Sequence, residues 1–534
     1  MKDATPFQAT GAFASNGTGS TRRDILKFVG GLAVGLPVIG SSDFSSFVSK
    51  AFAAGPSGLI RLATSDVSPG DSLDPHRQLS FTDAIRSYFV YEKLTEIGPN
   101  GELLPQLAKS WSSDPTAKVW TFELDPGATF HNGKPLKSSD VVYSFRRVAA
   151  KATASPGAAF AKNIAEVAAD GDSTVRVTLT SSDSEFPIIA SIRYFAVVEE
   201  GVEDFTSAAV GTGPWKLSSF EPGISAEYVR NDNYRIKGLP LLSKIESFGI
   251  GDESARLNAL LSDSAEVIQG VNAKAVERVR KSSSAQVLLS QAGATATFPM
   301  HVDKAPFDNP KVRKALKLAF DREEFVKIAF GGIGTAGCDH PIPPGDPFCA
   351  SDLPLPRPDK AEVVRLLTEA GHADTTFELH TSDANYGGAD AAVVLAELMG
   401  RNGVKVKVTK HPSDSYWSTI WNSVPWCASS WTVRPSAISR IETGYVSGAP
   451  QNETGWTSPE VDQLIVKAKS ELDPAKRKAL LAQAQKIIAD DGGTIVGAFV
   501  PWIDGYSTKV TGLVANPILF AGSGLWTKVQ VAAS

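Results

Sequence analysis

Trp120-Thr121-Phe122-Glu123-Leu124-Asp125-Pro126-Gly127-Ala128-Thr129-Phe130-His131-Asn132-Gly133-Lys134-Pro135 is the stretch whose reading decides the fold. Trp120, Phe122 and Leu124 share one face, the two-residue period of a half-buried strand. Asp125-Pro126-Gly127 and His131-Asn132-Gly133 read as tight reversals, where glycine takes the positive φ that other residues resist. His131 invites a ligand role, but a single histidine in such a turn reads as a surface or capping residue. Val175, Val177 and Leu179 repeat the strand pattern. Further on, Ser458-Pro459-Glu460 gives an N-cap, an N1 proline and a first-turn acid, with Val461, Leu464, Ile465 and Ala468 on one helical stripe. Asp473-Pro474 starts another helix carrying Leu480, Ala484, Ile487 and Ile488, stopped by Gly492-Gly493. Strands and helices alternate throughout, so the class is α/β, mixed with α+β.

Other segments surround that stretch in a fixed order. Leu73-Asp74-Pro75 comes early, Leu107-Ala108-Lys109-Ser110-Trp111 leads in, and Ser139-Asp140-Val141-Val142-Tyr143-Ser144-Phe145 follows. Gly211-Thr212-Gly213-Pro214-Trp215 precedes Arg230-Asn231-Asp232-Asn233-Tyr234, and Phe307-Asp308-Asn309-Pro310-Lys311-Val312-Arg313-Lys314-Ala315-Leu316 runs into Ala319-Phe320-Asp321-Arg322. Over nearly all of residues 58–510 the chain resembles the peptide and nickel class of extracytoplasmic solute-binding proteins, the receptors of ABC importers. The resemblance implies a two-lobed clamshell of the periplasmic-binding-protein kind, with the ligand held between the lobes and an extra subdomain on lobe I. Mapped by these landmarks, lobe I takes residues 58–292 plus 500–534, its subdomain 97–208, and lobe II 293–499. It further implies a receptor that is not an enzyme and has no cofactor. Its ligand would be a peptide or peptide-sized polar solute, its partners ABC permease subunits in the membrane, and its state monomeric.

Compartment is read from the first residues. Thr21-Arg22-Arg23-Asp24-Ile25-Leu26-Lys27 sets paired arginines before the apolar stretch Phe28 to Gly40. About thirteen residues cannot cross a hydrocarbon core of roughly 30 Å as a helix. Ala51-Phe52-Ala53 supplies a small-x-small cleavage pattern. Residues 1–53 are therefore read as a signal peptide of the twin-arginine type, delivering the chain to the periplasm.

Net charge −5 without basic blocks leaves no electrostatic footprint for nucleic acid. Hydrophobics at 42% and aromatics at 9% fit a packed globule. Of three cysteines, Cys338 and Cys349 share one Pro- and Gly-rich stretch and are expected to pair, for about 2–3 kcal/mol, leaving Cys427 as a buried, inert thiol. Gly332-Ile333-Gly334-Thr335-Ala336-Gly337 satisfies G-x-G-x-x-G, but it follows a helical pattern instead of a strand, and a Cys-Asp-His-Pro loop stands where the phosphate-binding helix belongs. Histidines at 76, 131, 301, 340, 372, 380 and 411 show no helical metal-ligand spacing, so no sequence-local metal site is indicated.

The candidate binding residues lie before the C-terminal helices. Trp417, Trp421, Trp426 and Trp431 crowd one short run; Trp421 and Trp426 read as core. Ser429-Ser430-Trp431-Thr432-Val433-Arg434-Pro435 resembles the family segment that runs along the interlobe cleft, placing Trp431, Thr432 and Arg434 there. Peptide-binding relatives usually carry an aspartate shortly after that tryptophan, to meet a peptide's α-ammonium. Here Arg434 stands in its place, and no aspartate occurs between Trp431 and Trp456. Arg434 either holds a ligand carboxylate or phosphate through its planar fork, or pairs with a protein acid such as Glu442 or Asp383. Asp383, Asn385 and Tyr386 in Ser382-Asp383-Ala384-Asn385-Tyr386 are a second cleft edge, and Ser65 and Asp66 a third. The leading expectation is thus a peptide receptor; the alternatives are the same receptor for an acidic sugar conjugate, opine or phosphorylated compound, and a secreted hydrolase on a similar scaffold. Replacing Arg22 and Arg23 together by lysine should leave unprocessed precursor in the cytoplasm, read by immunoblot of cell fractions; normal appearance of processed protein outside would refute the twin-arginine assignment.

Overall fold

The computed structural model describes residues 58–206, 208–432, 434–449 and 451–532; the Arg22-Arg23 signal lies outside them. Among the described residues nine strands form one sheet, in the order Ser429–Thr432, Ala285–Pro299, Thr494–Ser507, Val267–Ile268, Leu59–Thr64, Lys244–Gly249, Ser225–Arg230 and Trp215–Glu221, with Thr335–Ala336 paired alongside Thr494–Ser507. Leu59–Thr64 runs parallel to both its neighbours, and the crossing pair Ala285–Pro299 and Thr494–Ser507 is antiparallel.

The two crossing strands join two hydrophobic cores. Ala285 to Ser290 pairs with Ser507 to Trp502 beside lobe I, and Ala294 to Pro299 pairs with Val500 to Thr494 beside lobe II. Register breaks between Ser290 and Ala294, opposite Pro501, which has no N–H to give a ladder. Gly293 lies in that break, and a Cβ there would fall 2.3 Å from the Trp502 nitrogen, so only glycine fits. Lobe I packs Ile60, Leu62, Phe89, Trp215, Tyr228 and Trp526, with Phe89 edge-on to three of the rings at 5.1–5.5 Å. Lobe II packs Phe298, Phe320, Phe325, Leu395 and Trp426.

The stretch from Trp120 to Pro135 helps build a third core. Val119–Leu124 is a strand in a four-stranded sheet, with Trp120, Phe122 and Leu124 buried against Trp111, Phe145, Val175 and Val177. The turn after it is closed by the Asp125 carboxylate, which accepts the Gly127 N–H at 2.9 Å, and Gly133 takes φ +88°. His131 is a clamp: Nε2 lies 3.0 Å from the Gly213 carbonyl, and Nδ1 accepts the Gly211 N–H at 3.3 Å. Burial pushes its pKa down to about 4, as suits a neutral imidazole that both donates and accepts. In lobe II the Pro459–Ser470 helix is capped by the Ser458 side chain and buries the expected stripe. The Pro474–Asp491 helix turns its buried face slightly, to Arg477, Leu481, Ala484, Gln485 and Ile488, because Gln485 donates to the Phe348 and Leu481 carbonyls.

Asp74 of the Leu73-Asp74-Pro75 landmark ties lobe I to the Ser138–Ala149 helix. It accepts both arms of Arg147 at 2.8 and 2.6 Å and the His76 N–H at 2.9 Å. Burial alone would raise its pKa, yet the Arg147 hydrogen bonds and the His76 N–H outweigh that and hold it below the usual carboxylate value. Asp74→Asn should cost about 3–5 kcal/mol in urea unfolding, because Arg147 keeps its charge with only the neutral His76 Nδ1, at 2.9 Å, beside the new amide. Since the folded-state pKa is depressed, the native advantage is present above about pH 4 and fades as pH falls through the folded value; the gap between variant and wild type should narrow there.

Candidate functional site

The lobes meet over the register break of the crossing strands. Trp502 packs against Phe81 and Phe520 of lobe I at 5.5 and 4.0 Å, and Tyr386 of lobe II stands edge-on to it at 6.4 Å. Burial raises the Tyr386 hydroxyl to about 12, so it stays a neutral donor. Phe81 opens the Phe81–Val90 helix, and Asp66 caps that helix by accepting the Phe81 and Thr82 N–H groups at 2.6 and 3.0 Å and the Thr82 hydroxyl. Ser65 is fixed by its own N–H to Gln269 at 3.2 Å. The expected cleft edges from lobe I and lobe II are therefore brought to one aromatic wall, but Asp66 has much of its acceptor capacity committed to the helix.

Beside that wall, Ser429–Thr432 pairs with the first crossing strand, Trp431 opposite Thr295 and Thr432 opposite Ala294. Trp431 does not turn free into the cleft. Its indole N–H donates to Glu453 Oε1 at 2.8 Å, while Trp421 Nε1 and Ser429 Oγ donate to Oε2 at 2.8 and 2.7 Å, and Thr297 Oγ1 reaches Oε1 at 3.4 Å. Glu453 is 4% exposed, and burial raises its pKa against the pull of these donors. Four donors fill a carboxylate's acceptor sites, so Glu453 has no capacity left for a ligand ammonium.

Arg434 stacks 5.7 Å over the Trp431 ring and donates Nη2 to Gln451 Oε1 at 3.0 Å. Neither acid that might have neutralised it does so: Glu442 pairs with Lys469 at 2.7 Å and Asp383 with Lys410 at 2.6 Å. Among the described residues Arg434 has no ion pair, and burial alone lowers its pKa. A half-buried guanidinium with one neutral acceptor leaves most of its five N–H donors without a protein partner among the described residues.

On the second edge, Asp383 accepts the Ala389 N–H at 3.2 Å, and Lys410 holds its pKa low, so it caps the Gly388–Arg401 helix. Asn385 is buried, with Oδ1 unpartnered among the described residues. Sequence spacing gave no sign of His380 and His411, whose Nδ1 and Nε2 atoms lie 2.8 Å apart, His380 in the Thr376–Thr381 strand and His411 just past the end of its partner Lys405–Lys410. The expected Cys338–Cys349 bridge is corrected: all three cysteines are free thiols. Cys349 turns its sulfur to the Ile342 carbonyl at 3.7 Å inside an apolar cluster with Ile438 and Trp456, and burial raises its pKa to about 11. Cys427 is buried, its pKa pushed up to about 12, as an unreactive thiol requires. Gly334, in the G-x-G-x-x-G run, packs on the Phe499 carbonyl, and Thr335–Ala336 then forms a strand instead of a phosphate-binding helix.

A family model of bacterial extracellular solute-binding proteins, family 5, matches residues 102–439. The chain belongs to this family. Its relatives include the dipeptide-binding protein DppE of Bacillus subtilis, 24% identical over 80% of this chain and 84% of that one. The glutathione-binding protein GsiB of Escherichia coli K12 is 25% identical over 84% and 90%. In three dimensions the chain is similar to HbpA2 of Haemophilus parasuis, with a TM-score of 0.80 and 21% identity over 89% of this chain and all of the other. Solute-binding proteins of this family are two-lobed extracytoplasmic components of ABC importers, not enzymes.

In this family-5 chain Trp502, Phe81, Phe520, Gln451 and Glu453 escaped the sequence reading; only Pro501, interrupting an apolar strand before Trp502, hinted at a break in the ladder. Glu453→Gln keeps the size but turns an amide N–H toward one indole N–H. It should cost about 1–3 kcal/mol in urea unfolding and shift tryptophan emission to the red, while Glu453→Asp should retain part of both.

Proposed function

We propose that the chain is the extracytoplasmic receptor of an ABC importer that captures a peptide or peptide-sized polar solute carrying an anionic group. The observation that carries the reading is Arg434, half-buried and stacked on Trp431 but without a carboxylate partner among the described residues. A ligand carboxylate or phosphate meeting its fork would supply the missing counter-charge. The relatives support a peptidic ligand in general, and glutathione, the ligand in one relative's name, is a small peptide with two carboxylates. The saturated Glu453 argues against a free α-ammonium at the same spot. Acidic sugar conjugates, opines and phosphorylated compounds satisfy the same chemistry and remain the second reading. The receptor acts as a monomer, reaches the periplasm through the twin-arginine route, and hands its solute to permease subunits in the membrane.

Mass spectrometry of solute released from gently purified protein identifies the ligand. With it, Arg434→Ala should weaken binding roughly tenfold to a hundredfold in calorimetry, the worth of one or two charge-assisted hydrogen bonds. Arg434→Lys should recover only part, since a point charge cannot reproduce a planar fork. Equal affinity in all three would show that Arg434 is structural.

A further inference from the structure

Away from the Trp431 site, the subdomain touches lobe II through the turn that carries Ser184. Ser184 donates its backbone N–H to the Lys469 carbonyl at 2.7 Å and its hydroxyl to the Ala468 carbonyl at 3.0 Å. Both carbonyls belong to the last turn of the Pro459–Ser470 helix; the Ala468 carbonyl also accepts the Glu471 N–H at 3.2 Å, so the Lys469 carbonyl depends more on Ser184. A residue 284 positions distant in sequence thus caps that helix from the opposite side of the seam. Leu472 packs into the subdomain core beside it.

Glu185 follows Ser184 into the seam. It is 3% exposed, and neither carboxylate oxygen has a hydrogen bond among the described residues. Arg477 of the Pro474–Asp491 helix holds its Nε 4.0 Å away, itself without a hydrogen bond. The other groups that face Glu185 are Ser436 and Arg440 at the Ala437–Gly444 helix, Asp346 in the loop before Cys349, and Asp183 in its own turn; Lys469 and Glu442 stand by Asp183. A carboxylate and a guanidinium so close yet unjoined contrast with Asp74 and Arg147, which meet in a two-armed pair at 2.8 and 2.6 Å.

We propose that the Ser184–Glu185 turn is a latch that holds the subdomain against lobe II, and that Glu185 must carry a proton for the latch to grip fully. When the lobes part, Ser184 leaves the Lys469 carbonyl to water and the Ala468 carbonyl to its Glu471 N–H, and Glu185 regains solvent. In the latched form burial raises the Glu185 pKa from about 4.5 to about 7, against the pull of Arg477. The closed form therefore binds the proton more tightly than the open one, and closure takes a proton up. Closure is favoured as pH falls below about 7, and that advantage is lost as pH rises through 7. Between about 4.5 and 7 the closing equilibrium changes by up to about tenfold per pH unit; above 7 it is flat.

The test needs no ligand. Small-angle scattering of the full mature protein, shown by mass spectrometry to be free of solute, is compared at about pH 8 and pH 5.5. The wild type should become more compact at the lower pH, Glu185→Gln should be compact and unresponsive at both, and Ser184→Ala should be looser at both while still responding to pH. A wild type of unchanged size, or a Glu185→Gln protein that keeps the wild-type pH response, overturns the proposal. If Glu185→Gln does not fold, the wild-type Ser184 amide decides. Its hydrogen-exchange protection, corrected for the intrinsic rate, should rise between pH 8 and 5.5, and constancy overturns the latch.

Discussion

Two strands carry the chain between the lobes, and their pairing fixes where every other contact across the seam is made. The Ala285–Pro299 and Thr494–Ser507 ladder is continuous enough to keep both lobes in one sheet, yet it breaks at Ser290 to Ala294 and shifts by one residue again between Ala296 and Thr297. Pro501 withholds a donor at that point, and Gly293 admits the Trp502 backbone where any Cβ would collide. A ladder with a defined defect bends at the defect, because there the fewest hydrogen bonds are lost. Trp502, Phe81, Phe520 and Tyr386 gather over it, so apolar area buried on closing lies beside the axis of motion. Area close to a hinge moves least, and the contacts that decide between open and closed are the distant ones, among them the Ser184 turn.

Charge in the seam follows from what each group can still accept or donate. Asp66, Asp383 and Glu453 look alike in a sequence, as acids near a cleft, but the structure commits them differently. Asp66 and Asp383 cap helices, where the exposed N–H groups of a first turn favour an anion. Glu453 is held by two indoles and two hydroxyls, which makes it a fixture for Trp431 and Trp421. Arg434 is different, since among the described residues its guanidinium donates to one side chain, the neutral Gln451, and stacks on Trp431. A carboxylate at position 451 would neutralise it internally; an amide orients the guanidinium and leaves its charge for something else.

The periodic elements were legible in the sequence because their pattern is local. Trp120, Phe122 and Leu124 face a core as alternation requires, and Ser458 caps the helix it precedes. Asp74 was visible as a landmark but not as the partner of Arg147, which lies 73 residues on. Glu453 escaped because its donors come from positions 297, 421, 429 and 431, brought together only by sheet register. The cysteine expectation failed for a related reason. Nearness in a loop does not set the direction of a side chain, and Cys349 is turned into the Ile342, Ile438 and Trp456 cluster.

A receptor of this kind works only if the empty protein does not close too firmly, and its contacts across the seam are graded accordingly. Lys274 and Asp390 meet at 3.0 Å with both side chains largely in solvent, an exposed pair worth about 0–1 kcal/mol. The Ser184 cap adds two hydrogen bonds, each of about 0.5–1.5 kcal/mol net, because water or the Glu471 N–H serves the same carbonyls when the lobes part. Against these stand Glu185, which is buried, and Arg434, which is half-buried, neither in a close ion pair among the described residues. Burying an unpaired charge costs several kcal/mol, so the closed form is held back by the groups that a proton and an anionic solute would satisfy. On the proposed reading an anionic solute would bring Arg434 the counter-charge it lacks, and an uncharged analogue of the same size would fill the space without doing so.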